Sequence, residues 1–176
     1  MKTLDLLPIG DLDPRLLMSL APALANSFRV PCRILDYRLD PRFAFHPERG
    51  QYHSSELLQA MQPYARGGWR VLGVTAVDLY IPILTFVFGE AQMGGPCAIV
   101  SLHRLGQQFY GLPHDAALLE DRLIKESVHE VGHTFELTHC DDYSCAMAPS
   151  HAVEWIDLKE ATLCFSCQAR ALEAVS

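Results

Sequence analysis

The run His129-Glu130-Val131-Gly132-His133-Thr134-Phe135-Glu136-Leu137-Thr138-His139-Cys140 restricts this chain more than any other stretch. An α-helix turns about 100° per residue, so His129 and His133 project from nearly the same side, about one turn apart. Two imidazole nitrogens so placed can both reach one zinc ion at about 2 Å. Glu130 stands about 100° round from His129. Its carboxylate is then beside the metal without being a ligand, where a general base for an attacking water belongs.

His139 demands more. Continued as helix, it would lie roughly 9 Å beyond His133 and on another face. It joins the same metal only if the helix stops soon after His133 and the chain doubles back. The spacing therefore predicts a bend between Phe135 and Thr138. Three histidines on a tetrahedral ion leave one position open, the mark of a catalytic rather than a structural site. Four cysteines follow: Cys140, then Cys145 after four residues, and, beyond Ala146-Met147 and sixteen more, Cys164-Phe165-Ser166-Cys167.

From Val128 to Cys167 the chain resembles the metzincin zinc peptidases, and with its cysteines it resembles the archaemetzincins among them. Weaker likenesses are Arg49-Gly50-Gln51-Tyr52-His53-Ser54 and Gly94-Gly95 ahead of Ala98-Ile99-Val100-Ser101. The resemblance implies an α/β (α+β) fold. Its twisted mixed β-sheet has an antiparallel edge strand and is packed with an active-site helix and a C-terminal helix. It implies a zinc metallopeptidase, a hydrolase acting on short peptides with aminopeptidase character. Two Zn2+ per chain are implied. One is catalytic, on His129, His133 and His139, with Glu130 as base. The other is structural, on Cys140, Cys145, Cys164 and Cys167. Met147 would form an apolar floor beneath the first, and Phe86 to Ala91 would be the edge strand that pairs with extended substrate.

Cys140 directly follows His139, and neighbouring side chains of extended chain point opposite ways. A metal on each side would grip the same backbone, so the second ion is expected to fix the return that delivers His139. One residue departs from the family pattern: Glu136 stands where the metzincin motif has glycine. Glycine supplies φ > 0 at a helix end, and another residue there costs about 1–2 kcal/mol. Structural zinc is worth about 10–16 kcal/mol in small peptides, enough to hold the bend, unless the turn moves to Leu137 or Thr138. Glu136 also keeps a second reading open. In it the chain is a non-catalytic, zinc-stapled binding module whose histidine site is closed by Glu136 or His151.

At 176 residues, 49% hydrophobic and 20% charged, the chain is expected to form one domain over 1–176. Residues 1–127 would be scaffold and upper cleft, and 128–176 the zinc-binding core. A net charge of −7 argues against a nucleic-acid partner, since backbone affinity rests on Lys and Arg. No run approaches the roughly 18–20 apolar residues of a membrane span, and Asp5 interrupts the first apolar stretch. The expectation is a cytoplasmic monomer, off the membrane, whose partner is a peptide or small-protein substrate. Six cysteines then read as metal ligands or free thiols, with Cys32 and Cys97 as buried thiols in apolar strands. His46, His53, His103, His114 and His151 lack metal spacing and read as surface or capping residues.

Along the chain, Leu4 to Ile9 reads as a first strand. Asp13-Pro14 announces a helix through Phe28 that Pro22 should kink or shorten. Arg29 to Leu39 alternates like a second strand, and Asp40 to His53 reads as loop. Ser54 or Ser55 is a candidate cap for a helix through Met61. After a break at Gly67-Gly68, Arg70 to Leu79 reads as a central strand, with Asp78 at its end a cap in preference to a site residue. Thr85 to Met93 and Cys97 to Leu102 form a hairpin around Gly94-Gly95. Gly106 to Pro113 reads as loop, Asp115 or Asp121 starts the motif helix, and a last helix begins near Asp157 or the second cysteine pair.

Overall fold

The computed structural model describes residues 2–67 and 69–176. Five strands form the main sheet in the order β2-β1-β5-β8-β7. β1 (Leu4–Ile9) lies between β2 (Cys32–Ile34) and β5 (Arg70–Thr75), both parallel to it. β8 (Cys97–Ser101) runs parallel to β5, and β7 (Gly89–Ala91) closes the order antiparallel to β8. The expected mixed sheet with an antiparallel edge is thus present. A smaller sheet pairs β3 (Phe45–His46), β4 (Gln51–His53) and β6 (Leu79–Tyr80).

The alternation of strand side chains builds two cores. Leu4, Leu6, Leu72, Val74, Ala98 and Val100 face α1 (Pro14–Phe28) and α3 (Ala116–Thr134). Leu7, Ile9, Val71, Cys97 and Ile99 face α2 (Ser54–Met61). Asp5 is buried in β1, held by two bonds from Arg33 of β2 at 2.7 and 2.9 Å. α3 rests against β8, α1 and β7, so the motif helix runs under the sheet's open edge.

Several local expectations change. α1 runs through Pro22 unbroken. Pro22 and Met18 are both exposed, so the Met18 carbonyl that loses its amide partner lies on the solvent side, where water can satisfy it. The second strand is only Cys32–Ile34, because Arg29 turns left-handed at φ 53 to end α1. The segment expected as loop contains a 3-10 turn, Pro41–Ala44, and the strands β3 and β4. His53, not a serine, caps α2, its Nδ1 accepting from the Glu56 amide at 3.3 Å. Gly67 ends a 3-10 turn, and Gly68, the other half of the expected break, lies outside the described residues.

The central strand stops at Thr75, and Asp78 is no cap. Its carboxylate takes two bonds from Arg104, both 2.8 Å, and one from Gln51 at 3.0 Å. The hairpin's first strand shrinks to β7. A 3-10 turn, Gln107–Tyr110, occupies the next expected loop, and Asp115 caps α3. The last helix, α5 (Phe165–Val175), starts at the second cysteine pair with Cys164 as its cap, one of the two expected starts, and a short separate helix, α4 (Val153–Leu158), precedes it. Asp157 lies inside α4, where it takes two bonds from Arg122, 2.8 and 2.7 Å, and ties α4 to α3.

Candidate active site and second metal centre

α3 ends as the sequence requires. The Leu137 amide bonds the Gly132 carbonyl at 3.1 Å and the Glu136 amide bonds the His133 carbonyl at 3.0 Å. Those two bonds, with Glu136 at φ 64, form a Schellman turn. The turn stays at Glu136 and does not move to Leu137 or Thr138. It reverses the chain and brings His139 back over the helix. Arg70 helps hold the end, donating to the Thr134 carbonyl at 3.2 Å while its guanidinium lies over Trp69 and Phe135.

His129, His133 and His139 converge, with one nitrogen of each within 4.8 Å of the others. His129 Nδ1 lies 2.9 Å from the Ala146 carbonyl and His133 Nδ1 2.7 Å from the Leu137 carbonyl. A carbonyl only accepts, so both Nδ1 atoms carry the proton. Burial holds both rings below the ordinary histidine pKa, His129 well below, with Lys159 the next cause at His129. Neutral rings protonated at Nδ1 leave a bare lone pair on each Nε2. Those two Nε2 atoms stand 3.1 Å apart. Lone pairs facing each other at that distance repel unless a cation lies between them. Ligands at about 2.0–2.1 Å on a tetrahedral zinc sit roughly 3.3–3.4 Å apart, so the donor set fits the ion. His139 closes the group from the exposed side.

A cleft of about 630 Å³ opens on this cluster. The segment Leu84 to Ala91 forms one wall, Pro149 to His151 lie opposite, and Glu126, Glu130 and the histidines line it between. Glu130 is buried, and burial, then the nearby Glu126, raises its carboxyl well above the usual carboxylate range, while Lys159 opposes. Neither Glu136 nor His151 joins the histidine group found among the described residues. Glu136 places its carboxylate over Gly94, and His151 lines the cleft. A second groove, about 760 Å³, lies between the starts of α1 and α3 and holds none of the motif residues; His114 lines it.

The four cysteines also meet. Cys140, Cys145, Cys164 and Cys167 hold their sulfurs within 4.8 Å of one another, and none is in a disulfide. Cys140 Sγ lies 3.9 Å from Cys164 Sγ. A disulfide needs about 2.05 Å, whereas ligands on a tetrahedral zinc at about 2.3 Å stand roughly 3.8 Å apart. Backbone amides of Met147 and Cys164 point at Cys145 Sγ, 3.4 and 3.3 Å away, and the Cys167 amide at Cys164 Sγ, 3.5 Å away. The Cys167 amide holds the Cys164 thiol below its ordinary value, while at Cys145 burial outweighs the two amides and raises the thiol. Cys32 and Cys97 stand apart, and burial pushes their thiols up to about 12 and about 11, as suits inert packing groups.

Two glycines that sequence reasoning passed over set the site's tolerances. A Cβ at Gly89 would fall 2.5 Å from the Ile99 carbonyl and 2.8 Å from Glu130 Cγ. Only glycine in β7 leaves room for Glu130. A Cβ at Gly132 would fall 2.4 Å from the sulfur of Met147, which is fully buried against the helix. Glu126 and Lys159 were also missed, the buried pair lying 3.0 Å apart beneath the cleft. Glu126, one turn before Glu130 on the motif helix, was in principle detectable, but nothing local to Lys159 marks it. The Arg49 to Ser54 run braces the cleft wall from behind. Arg49 donates to the Leu84 carbonyl at 2.7 Å, Gln51 to the Thr85 carbonyl at 2.9 Å, and Ser54 and Ser55 both donate to Glu90.

A mixed sheet over a histidine-bearing helix, with a cleft along its antiparallel edge and a cysteine cluster behind, defines a zinc metallopeptidase of the metzincin type. The family model described as Peptidase family M54 matches residues 56–173. The chain is 38% identical over 160 residues to an archaemetzincin of Methanocaldococcus jannaschii, covering 91% of this chain and 87% of that one. It is 34% identical over 166 residues to an archaemetzincin of Haloquadratum walsbyi, covering 93% and 95%. Among solved structures, a zinc-dependent peptidase from Methanocorpusculum labreanum superposes with a TM-score of 0.88 at 30% identity, covering 96% of this chain and 99% of that one. The archaemetzincin of Archaeoglobus fulgidus superposes with a TM-score of 0.83 at 31% identity, covering 96% and 99%. The chain belongs to the archaemetzincin family.

Proposed function

We propose that this protein hydrolyses peptide bonds with zinc held by His129, His133 and His139 and with Glu130 as general base. The observation that carries the reading is the pair of bare Nε2 atoms 3.1 Å apart at the floor of an open cleft, with Glu130 beside them. Zinc bound there supplies Lewis-acid polarisation of a carbonyl and a lowered pKa for water.

The chain's own groups do the rest. Ala146 and Leu137 carbonyls fix the tautomer and aim of two imidazoles. β7, the outer strand of the sheet, lies along the cleft and presents backbone groups to an extended peptide. Glu130 takes a proton from the attacking water and returns it to the leaving amine. Its burial at the floor of the cleft, which raises its carboxyl, favours its holding the proton that it returns to the amine. Glu90, a carboxylate on the cleft wall held by Ser54 and Ser55, suits recognition of a free α-amine, in keeping with aminopeptidase action on short peptides. The thiolates of Cys140, Cys145, Cys164 and Cys167 hold a second zinc with every position filled, so its part is structural. Six unpaired cysteines suit a reducing compartment, and we place the protein in the cytoplasm as a monomer.

The test is turnover of a peptide library by the wild-type protein and by Glu130→Gln, with zinc counted by mass in both. Equal turnover by the two proteins at equal zinc content rejects Glu130 as the base. No turnover by a fully zinc-loaded wild type rejects the peptidase reading in favour of a binding module.

A further inference from the structure

Lys159 is a lysine with no exposed side-chain surface. Its ammonium donates to the Ala146 carbonyl at 3.1 Å and to the Ala148 carbonyl at 3.0 Å. It also lies 3.0 Å from Glu126 Oε1, itself buried. The Ala146 carbonyl is the one that receives the Nδ1 proton of His129. One ammonium therefore grips the backbone on both sides of Met147 and shares an acceptor with a histidine of the metal cluster.

Burying an ammonium is costly, and an apolar side chain of similar length would fill the same space without that cost. What lysine adds is direction: donors held at fixed angles to two carbonyls, with a carboxylate beside the charge. Its charge alone would oppose a dication at the histidines. Paired with Glu126 the charge is balanced, which leaves the hydrogen bonds as its net contribution.

We propose that Lys159, balanced by Glu126, is a positioning residue that holds the Ala146 carbonyl where it aims His129 Nε2 at the metal, and so sets the zinc affinity of the histidine site. This rests on the reading that the three histidines bind zinc. No motif residue does this work, because the connection runs through backbone carbonyls of a segment 17 residues beyond His129.

The experiment is competition for Zn2+ against a chelator, with the two sites resolved, in wild type and in Glu126→Gln/Lys159→Met. The double variant is neutral at both positions and nearly isosteric, so it removes the geometry without leaving an unpaired charge. We expect the histidine site to lose about 10- to 100-fold in affinity, the usual effect of removing a partner behind a metal ligand. The cysteine site should change less than threefold. A merely structural role would lower the melting temperature or weaken both sites alike. A folded double variant whose histidine site stays within twofold of wild type, or whose two sites weaken equally, overturns the proposal. If the wild type itself takes up no zinc at the histidines, the underlying reading fails first and takes the proposal with it. Should Glu126→Gln/Lys159→Met not fold, Glu126→Leu/Lys159→Met carries the same test, since apolar replacement of a buried pair is often neutral for stability.

Discussion

The two candidate metal clusters are built from opposite materials. The histidine cluster takes two ligands from a rigid helix and one from a returning loop, and its outer member, His139, faces solvent. The cysteine cluster takes its ligands from turns and from the start of α5, and backbone amides surround two of its sulfurs. The first borders a cleft, and none of the second's four ligands lines it. A site made to do chemistry keeps one side free and relies on stiff elements for aim. A site made to hold a fold spends all its ligands on the ion and needs no stiff element, because the ion itself supplies the rigidity.

That contrast breaks most sharply at Glu130. Glu130→Gln should lower kcat by about 10²- to 10⁴-fold, the range for general acid–base groups, while both zincs remain by mass analysis. Loss of zinc with activity would instead make Glu130 part of the histidine cluster. Next in size is Cys145→Ser, which strikes the cluster that should only hold the fold. It should weaken zinc at both sites and lower the melting temperature by more than ~10 °C, since structural zinc contributes many kcal/mol of folding energy. The link is physical: Cys140 and His139 share one stretch of backbone, and the Cys140 amide bonds the Met147 carbonyl at 3.0 Å. Metal loss confined to the cysteines would show the two clusters to be independent.

Gly89→Ala sharpens the comparison within the histidine site. The added methyl must displace Glu130 or the Ile99 carbonyl. Kcat should fall by about 10- to 100-fold, as misplacement of a reacting group by about 1 Å does, with zinc affinity unchanged in a chelator titration. The smallest effect belongs to Glu136→Gly. Removing the side chain at φ 64 relieves about 1 kcal/mol of left-handed strain, which should raise the melting temperature by roughly 2–4 °C in a domain of this size. A melting temperature unchanged or lower, with both metals bound, would mean the Glu136 carboxylate over Gly94 offsets that strain.

The readings that matched the structure share one property. The helix over His129 and His133, the reversal before His139, the hairpin at Gly94-Gly95 and the meeting of four cysteines each follow from a spacing or a turn residue. The readings that moved depended on distant partners. Arg29 to Leu39 alternates like a strand, yet only Cys32–Ile34 pairs with β1 as a strand, and beyond it Leu35 and Leu39 donate singly to the Leu6 and Pro8 carbonyls at 2.9 and 3.0 Å. Ser54 looks like a cap, but its hydroxyl is taken by Glu90, 36 residues on, and His53 caps instead. Asp78 looks local and is bound by Arg104 and Gln51.

By itself the sequence determined the candidate ligands, their grouping and the need for the chain to double back, because donor chemistry and helical period act over a few residues. The tertiary structure alone decided what stands behind those ligands: the carbonyls that orient the imidazoles, the glycine that makes room for Glu130, and the lysine drawn in beneath. Those contacts join residues far apart in the chain. Their energy depends on packing distance, which no local pattern records.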